Sequence, residues 1–458
     1  MNDTKTLTVA SPGESPYAVA IEAYNLLPQP APRRTVIARS VEDVCEAVRY
    51  ARDNDLTASV IATGHSAATS QPLDGALLIR TQLDEPVVID REAQTATIPA
   101  GTRWAAVVAA AAEHGLAVLH GSSGTVGAVG YLLRGGISFY GRTHGIAANN
   151  IVSIRLVLAD GRVVTASPDE EPDLFWALRG GGGGFGVVTS VTIRLLPMWK
   201  VYTGIAFWPA EHAEEIISAW RTWTENAPWT LTTSMRVLNI PPLPGIPEAI
   251  AGRTVVALDG AAGIRDPYLL TDISHQAAAL LDPLRAIAEP IIDTWDLRDP
   301  IELPLTHMDP PDPIPYVGDH LLLSSLDQAD VRTLVDLVGS ASGSTLTSVE
   351  LRHLGGAFAY PPENGGAFDR TDAEFALLVV GAVGGPLTPE MQEGAAARIR
   401  TALSHRDTGR TLPTFVESAS QPSRTFDHAT WEAVDRVRRA VDPRGLFLPN
   451  IVPFVDAR

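Results

Sequence analysis

Hydrophobic positions along this chain recur with two different periods. In "SVEDVCEAVRYAR", residues 40–52, Val41, Val44, Cys45 and Val48 share one helical face behind Ser40, with Asp43 near the capping-box position. That spacing predicts an amphipathic helix with Cys45 inside the core, where a free cysteine packs as a small hydrophobe. "ASVIA" follows as a short apolar strand, and "PVVID" and "TATIPAG" flank a turn. "TRWAAVVAAAAEHG" predicts a second helix, capped by Thr102 and stopped at Gly115. "IVSIRLVLADGRVVTA" predicts a hairpin turning at Asp160-Gly161. "DLFWALRGGGGGFGVVTSVTIRLLP" then runs helix, glycines, strand, ending at Pro197.

After Met198-Trp199-Lys200 the texture changes. Pro-rich connectors, "NIPPLPGIP" and "HMDPPDPIPYVGDH", separate strand-like pieces ("HLLLSSL", "TSVELRHL", "EFALLVVGAVG") from helices around 210–225, 274–288 and 389–404. A chain of 458 residues is too long for one ordinary core. The pattern therefore divides into an N-terminal α+β unit (1–198), a second domain of mixed sheet and helices (199–411) and a C-terminal piece (412–458). The amphipathic helix of that last piece, in "ATWEAVDRVRRAVDPRGLFLPN", is placed to return to the first unit.

Composition removes several functions. A formal charge of −18 argues against nucleic acid and anionic membrane surfaces as partners. Lysine occurs only as Lys5 and Lys200, so no Gly-Lys-Ser/Thr phosphate loop exists. Cys45 is alone, which excludes disulfides within the chain and thiolate metal sites; the histidines have no metal-like spacing, so no metal is expected. The first residues lack an apolar signal core and no run of about 18 apolar residues occurs, so the expectation is a cytoplasmic protein without membrane contact.

The chemistry concentrates in glycine-rich turns. "VIATGHSAATSQP" presents His65 on a strand-to-turn corner of small residues: Ile61, Ala62, Thr63, Gly64 and Ser66. "HGSSGTVGAVGYLLRGG" supplies hydroxyls and bare amides with little bulk, which suits close approach to a phosphate or a flat ring. "RGGGGGFG" has the wrong order for a dinucleotide fingerprint, because its glycines follow a helix and precede a strand. Alone it reads as a tight connection.

Taken in order, "ATGHS", "GSSGTVGAVGYLLRGG", "GRTHGIAANNIVSIRLVLADGRVV", "DLFWALRGGGGGFGVVTSVTIRL" and "VDPRGLFLPN" resemble the berberine bridge enzyme-like flavin-linked oxidases of the vanillyl-alcohol oxidase superfamily. The resemblance spans nearly the whole chain. It implies a two-domain PCMH-type FAD-binding fold in which a substrate domain covers the flavin. It also implies FAD contacts at Ile61, Ala62, Thr63, Gly64, His65 and Ser66, at Gly121, Ser122, Ser123, Thr125, Val126, Gly127, Gly130, Gly135 and Gly136, and at Val187 and Asn450. In the family the histidine of the Gly-His-Ser turn is commonly bonded to the flavin, which here is His65. The cysteinyl attachment of many relatives falls on Ser123, so a single link through His65 is expected and a cysteinyl one is not.

Other departures matter for the reaction. Arg134 stands for a glycine, where its charge offsets pyrophosphate or faces solvent, Asn149 stands for an aspartate, and Thr414-Phe415 stands where relatives often place Asn-Tyr or Asn-Phe, the tyrosine sometimes acting as base. The family's tyrosine base is therefore missing. Tyr140, Glu350 and His353 remain as acid–base candidates; each also has a structural reading, as core phenol, partner of Arg352 or cap. Glu350 and His353, three apart on a predicted strand, point to opposite faces. The resemblance implies oxidation of an alcohol, hemiacetal or amine of a small specialised metabolite by hydride transfer to flavin N5, with molecular oxygen reoxidising the flavin to give peroxide. The alternatives are a dehydrogenase using another acceptor and a flavin-free binding protein that kept the fold; a monomer or homodimer is expected.

Overall fold

The structure, a computed structural model, describes residues 7–417 and 424–451. Local chemistry sets its first elements. Ser40 Oγ accepts the Asp43 N–H at 3.1 Å and starts the helix Val41–Asp53, whose Val41, Val44 and Val48 are buried. Cys45 lies at the edge of that face, only partly buried, rather than inside the core. Thr102 is not the cap of the next helix. Trp104–Ala112 begins after Arg103 without a side-chain cap, and Thr102 gives its carbonyl to the Ala128 N–H at 2.9 Å. The Asp160-Gly161 hairpin forms, with Gly161 at φ +86°.

Two small sheets share one hydrophobic core with these helices. In the first, Arg34–Ala38 and Thr57–Ile61 pair parallel to Ala76–Thr81, and Val9–Ala10 adds antiparallel. The second is antiparallel: Val88–Asp90, Thr95–Pro99, Val187–Arg194, Ile151–Val157 and Val163–Ala166, in that spatial order. The tail closes on the first sheet, where Ala58 N–H donates to Leu446 O at 2.7 Å and Leu448 N–H to Ala58 O at 2.9 Å.

The third sheet has eight strands, with Lys200–Pro209, Thr254–Ile264, Leu231–Asn239, Ser348–His353, Phe375–Ala382 and Tyr316–Leu323 adjacent in that order. The mixed sheet expected of this region is antiparallel in every pairing, because each strand returns alongside its neighbour; the mixed pairing lies in the first small sheet. Four helices, Ala213–Thr224, Leu270–Ile287, Gln328–Val338 and Pro389–Ala402, cover one face and share its apolar core. The third of these goes unread in the sequence, although Asp327 caps it through the N–H groups of Ala329 and Asp330.

Strand alternation then dictates the other face. Met235 and Val237, Val256 and Leu258, Val349 and Leu351 point into the helix-covered core. Their alternates are Ser234 and Arg236, Asp259, Glu350 and Arg352, all buried and all polar or charged. A buried face of that composition has to be paired with something.

Candidate functional site

One cavity, about 380 Å³, runs from the His65 turn to Glu350 and Arg352 on the large sheet. This is within the range of small-molecule sites. Its first wall consists of turns whose amides are not used elsewhere. Among the described residues, the N–H groups of Thr63, Gly64, His65 and Ser66, and those of Gly121, Ser122 and Ser123, donate to no other backbone group. Two combs of free amides in one cavity make an anion-binding concavity. The turns are locked together, since Thr63 Oγ1 accepts the Gly127 N–H at 3.1 Å. Gly64, at φ +78°, lies so close to Ala23 that an added Cβ would sit 2.6 Å from that side chain. Gly130 is different: a Cβ there meets nothing within 4 Å, so its face is open space.

His65 is half-buried, with one ring face covered. Tyr24 stacks on it at 3.8 Å between ring centroids, and Nε2 lies 3.0 Å from Thr125 Oγ1, which is 2.8 Å from Ser123 Oγ. Burial, with a contribution from Arg103, lowers its pKa to about 4 against the opposing charge of Asp309. The imidazole is neutral at physiological pH. The sequence positions expected for histidyl and cysteinyl attachment are thus one threonine apart.

The opposite wall is a chain of buried charges. Arg236 Nη2 lies 2.6 Å from Asp259 Oδ2, and His307 Nδ1 lies 3.1 Å from the same oxygen. His307 Nε2 faces Glu350 Oε2 at 3.5 Å and Asp309 Oδ1 at 3.8 Å. Glu350 Oε1 accepts from Arg352 Nε at 2.7 Å and from Ser234 Oγ at 2.6 Å, and Asp309 Oδ2 accepts from Ser122 Oγ at 3.1 Å. Burial and Arg236 work to deprotonate His307, but Asp259, Asp309 and Glu350 outweigh them and raise it to about 9. Burial would raise Glu350, yet Arg352 and His307 hold it well below the usual carboxylate range. At neutral pH this cluster therefore carries three cations against three carboxylates.

The third wall comes from the glycine run and the tail. Gly183 N–H donates to Asn450 Oδ1 at 2.8 Å, and Gly182, at φ +77°, would clash with that same oxygen if it carried a Cβ. The run is a tight connection packed on the tail, and Gly183, Gly184 and Gly186 line the cavity beside Asn450.

The structure sorts the expected residues clearly. Ile61, Ala62, Thr63, Gly64, His65, Ser66, Gly121, Ser122, Ser123, Val126, Gly127, Gly130 and Asn450 line the cavity together. Thr125, Gly135, Gly136 and Val187 stand behind the lining: Thr125 braces His65, and a Cβ on Gly136 would overlap the Tyr131 ring. Among the acid–base candidates Glu350 lines the cavity. His353 points to the helix-covered face, with Nε2 2.9 Å from Arg142 and its ring packed on Trp220, Trp223 and Phe375. Tyr140 is a core phenol, 3% exposed, whose hydroxyl has no partner among the described residues. Arg134 does not face solvent. It is buried, donating to the carbonyls of Pro413 (2.7 Å) and Val416 (2.9 Å) and to Thr69 Oγ1 (3.5 Å), because a buried guanidinium has to be hydrogen-bonded. Asn149 ties Gly366 and Asp369 to the first unit.

Sequence reasoning missed Arg236, Asp259, His307 and Asp309; Arg352 is the ion-pair partner of Glu350 that it named. One signal was available: Asp259 interrupts the apolar strand "TVVALDGAAGI", and a charge in such a strand must be paired.

Comparison with known proteins agrees with this geometry. Residues 32–167 match the family model described as FAD binding domain. (R)-6-hydroxynicotine oxidase of Paenarthrobacter nicotinovorans is 39% identical over 186 residues, 40% of each chain. The FAD-dependent monooxygenase prx3 of Penicillium roqueforti is 33% identical over 215 residues, 46% of this chain and 42% of that one. The chain thus spans less than half the length of these curated relatives. Among solved structures, the wild-type BBE-like 1 protein of Physcomitrella patens superposes with a TM-score of 0.82 at 20% identity, covering 99% of this chain and 98% of that one. Its level of identity carries the fold. Among the described residues, no helix is long and apolar enough to cross a membrane.

Proposed function

From a chain whose residues 32–167 form an FAD-binding domain and whose fold is that of the berberine bridge enzyme-like, PCMH-type flavoproteins, we propose an FAD-dependent oxidoreductase acting on an alcohol, hemiacetal or amine of a small metabolite. One observation carries the reading. A single cavity joins two combs of unused amides and a neutral, half-buried histidine to a buried ionic cluster on the facing sheet. Free amides suit pyrophosphate oxygens, and the open face at Gly130 leaves space beside them. When bound there, FAD supplies a two-electron acceptor.

The chain's own residues do the rest. His65 would hold the flavin: Nε2 lies 3.0 Å from Thr125 Oγ1, so the tautomer that donates there would leave the Nδ1 lone pair for a link, and Ser123 provides no thiol for a second one. Glu350, fixed by Arg352 and Ser234, accepts the hydrogen bond of the substrate's O–H or N–H and orients it. His307, protonated at neutral pH, keeps that carboxylate ionised. Phe139 and Phe415, with Arg352 placed over both rings at 5.5 Å, shield the cluster from water. Oxygen is the acceptor that the name of one relative, (R)-6-hydroxynicotine oxidase, supports.

The test is an anaerobic screen. Purified protein is expected to be yellow, with about one FAD per chain, and to bleach when mixed with a productive alcohol or amine. Admitting air is expected to restore the colour and release peroxide. Colourless protein that cannot be reconstituted with FAD overturns the proposal. Bleached protein that recovers with a quinone but not with air replaces oxidase by dehydrogenase.

A further inference from the structure

Beyond the charge cluster, the cavity has a second ionisable corner, which the reaction above does not use. Tyr316, on the strand Tyr316–Leu323, places its hydroxyl 3.3 Å from the His65 carbonyl and 3.2 Å from Glu417 Oε2. Both oxygens accept, and a phenol has one proton. The two bonds cannot both be donated by Tyr316 at the same time.

The corner is built to hold this arrangement. Arg134 fixes the segment before Glu417 through the carbonyls of Pro413 and Val416. Gly318 clears the space for the Glu417 side chain, since a Cβ there would lie 2.7 Å from Glu417 Cβ. Among the described residues, the charged and titratable groups around this corner come from several elements. Arg134 faces Glu417 from the helix end; Glu417, Tyr24 and Asp309 surround the Tyr316 phenol. Asp319 is paired with Arg400, and His320 accepts the Leu412 N–H at 3.1 Å.

We propose that Glu417 is a positioning residue whose protonation decides, through Tyr316, whether the carbonyl of His65 is hydrogen-bonded. With Glu417 protonated, its O–H donates to Tyr316 Oη and the phenol donates to His65 O. With Glu417 ionised, the phenol donates to the carboxylate instead, and the carbonyl in the histidine turn loses its partner. One proton leaves to the cavity. Burial, opposed by Arg134 and by Tyr316, brings the Glu417 carboxyl up to about 7, so the exchange falls in the physiological range.

The optical half of the test rests on the cavity holding FAD; the infrared half does not. In FAD-loaded protein, flavin absorbance and fluorescence are followed from pH 5.5 to 8.5. One step near pH 7 is expected in wild type, and its loss in both Glu417→Gln and Tyr316→Phe. In parallel, the infrared band of a protonated carboxylic acid is expected to fade through the same range. It should be absent from Glu417→Gln, and kept by Tyr316→Phe and by Glu374→Gln, which removes a different raised carboxyl. A flavin step that survives in Glu417→Gln with its midpoint unmoved overturns the proposal. So does a carboxylic band that Glu417→Gln leaves unchanged. If Glu417→Gln does not fold, Tyr316→Phe decides: a retained flavin step overturns the relay, and its loss with the infrared band kept upholds it. If the protein takes up no FAD, the functional reading fails and the infrared comparison alone decides this one.

Discussion

Asp259 is fully buried and accepts from both Arg236 and His307, so Asp259→Asn isolates the energetics of the charge cluster. The change preserves shape and removes one negative charge from between two cations. Raising His307 from 6.5 to about 9 corresponds to about 3 kcal/mol in favour of its charged form, at about 1.4 kcal/mol per pH unit. Losing the nearest of the three carboxylates removes a large part of that, and leaves Arg236 buried beside an amide. Breaking a buried pair by removing one partner costs about 3–5 kcal/mol, and this figure is the expected loss of unfolding free energy at pH 7. The assay is urea unfolding followed by tryptophan fluorescence, repeated from pH 6 to 10. The sign follows from the raised histidine: its stabilisation is complete below about 6.5 and is lost as pH rises through about 9. Wild type is expected to lose stability between pH 7 and 10, and Asp259→Asn to be weaker at pH 7 with less further loss. A variant within about 1 kcal/mol of wild type at pH 7 refutes the argument. So does a wild-type profile flat from pH 7 to 10.

Three further outcomes are expected. Acid precipitation should leave flavin in the pellet for wild type and Ser123→Ala but release it to the supernatant for His65→Ala; colour retained by His65→Ala would place the link elsewhere. Arg134→Met removes a buried guanidinium bonded to the carbonyls of Pro413 and Val416, and is expected to lower stability by about 2–4 kcal/mol, seen as faster proteolysis of the tail segment. Gly141→Ala, whose added Cβ would overlap the Phe358 ring, is expected to lower the urea midpoint by an amount equivalent to about 1–3 kcal/mol, while Gly130→Ala, exposed inside a helix and facing open space, should raise the midpoint slightly, by about 0.5–1 kcal/mol, and weaken FAD binding.

Much of this protein is local chemistry and can be read from the chain. A helix face repeating every three or four residues behind Ser40, a hairpin at Asp160-Gly161 and strands alternating apolar and polar all follow from periods and caps that neighbours in sequence impose. The glycine-and-hydroxyl turns at 61–66 and 121–127 are equally local, because tight turns with little side-chain bulk are written as continuous stretches of small residues. What the chain alone left open is which polar residues meet. Arg236, Asp259, His307 and Glu350 come from four separate segments, and only the antiparallel register of Leu231–Asn239, Thr254–Ile264 and Ser348–His353 aligns three of them on one face. Cys45 and Tyr140 show the same limit from the other side, since both are placed by neighbours distant in sequence. Arg134 is the plainest case: a charge followed by two glycines reads as a phosphate contact or a solvent-facing side chain, yet its partners are carbonyls 279 and 282 residues away. Periodicity decides which face of an element is buried, but pairing of buried charges is a property of register and chain closure, and those exist only in the folded molecule.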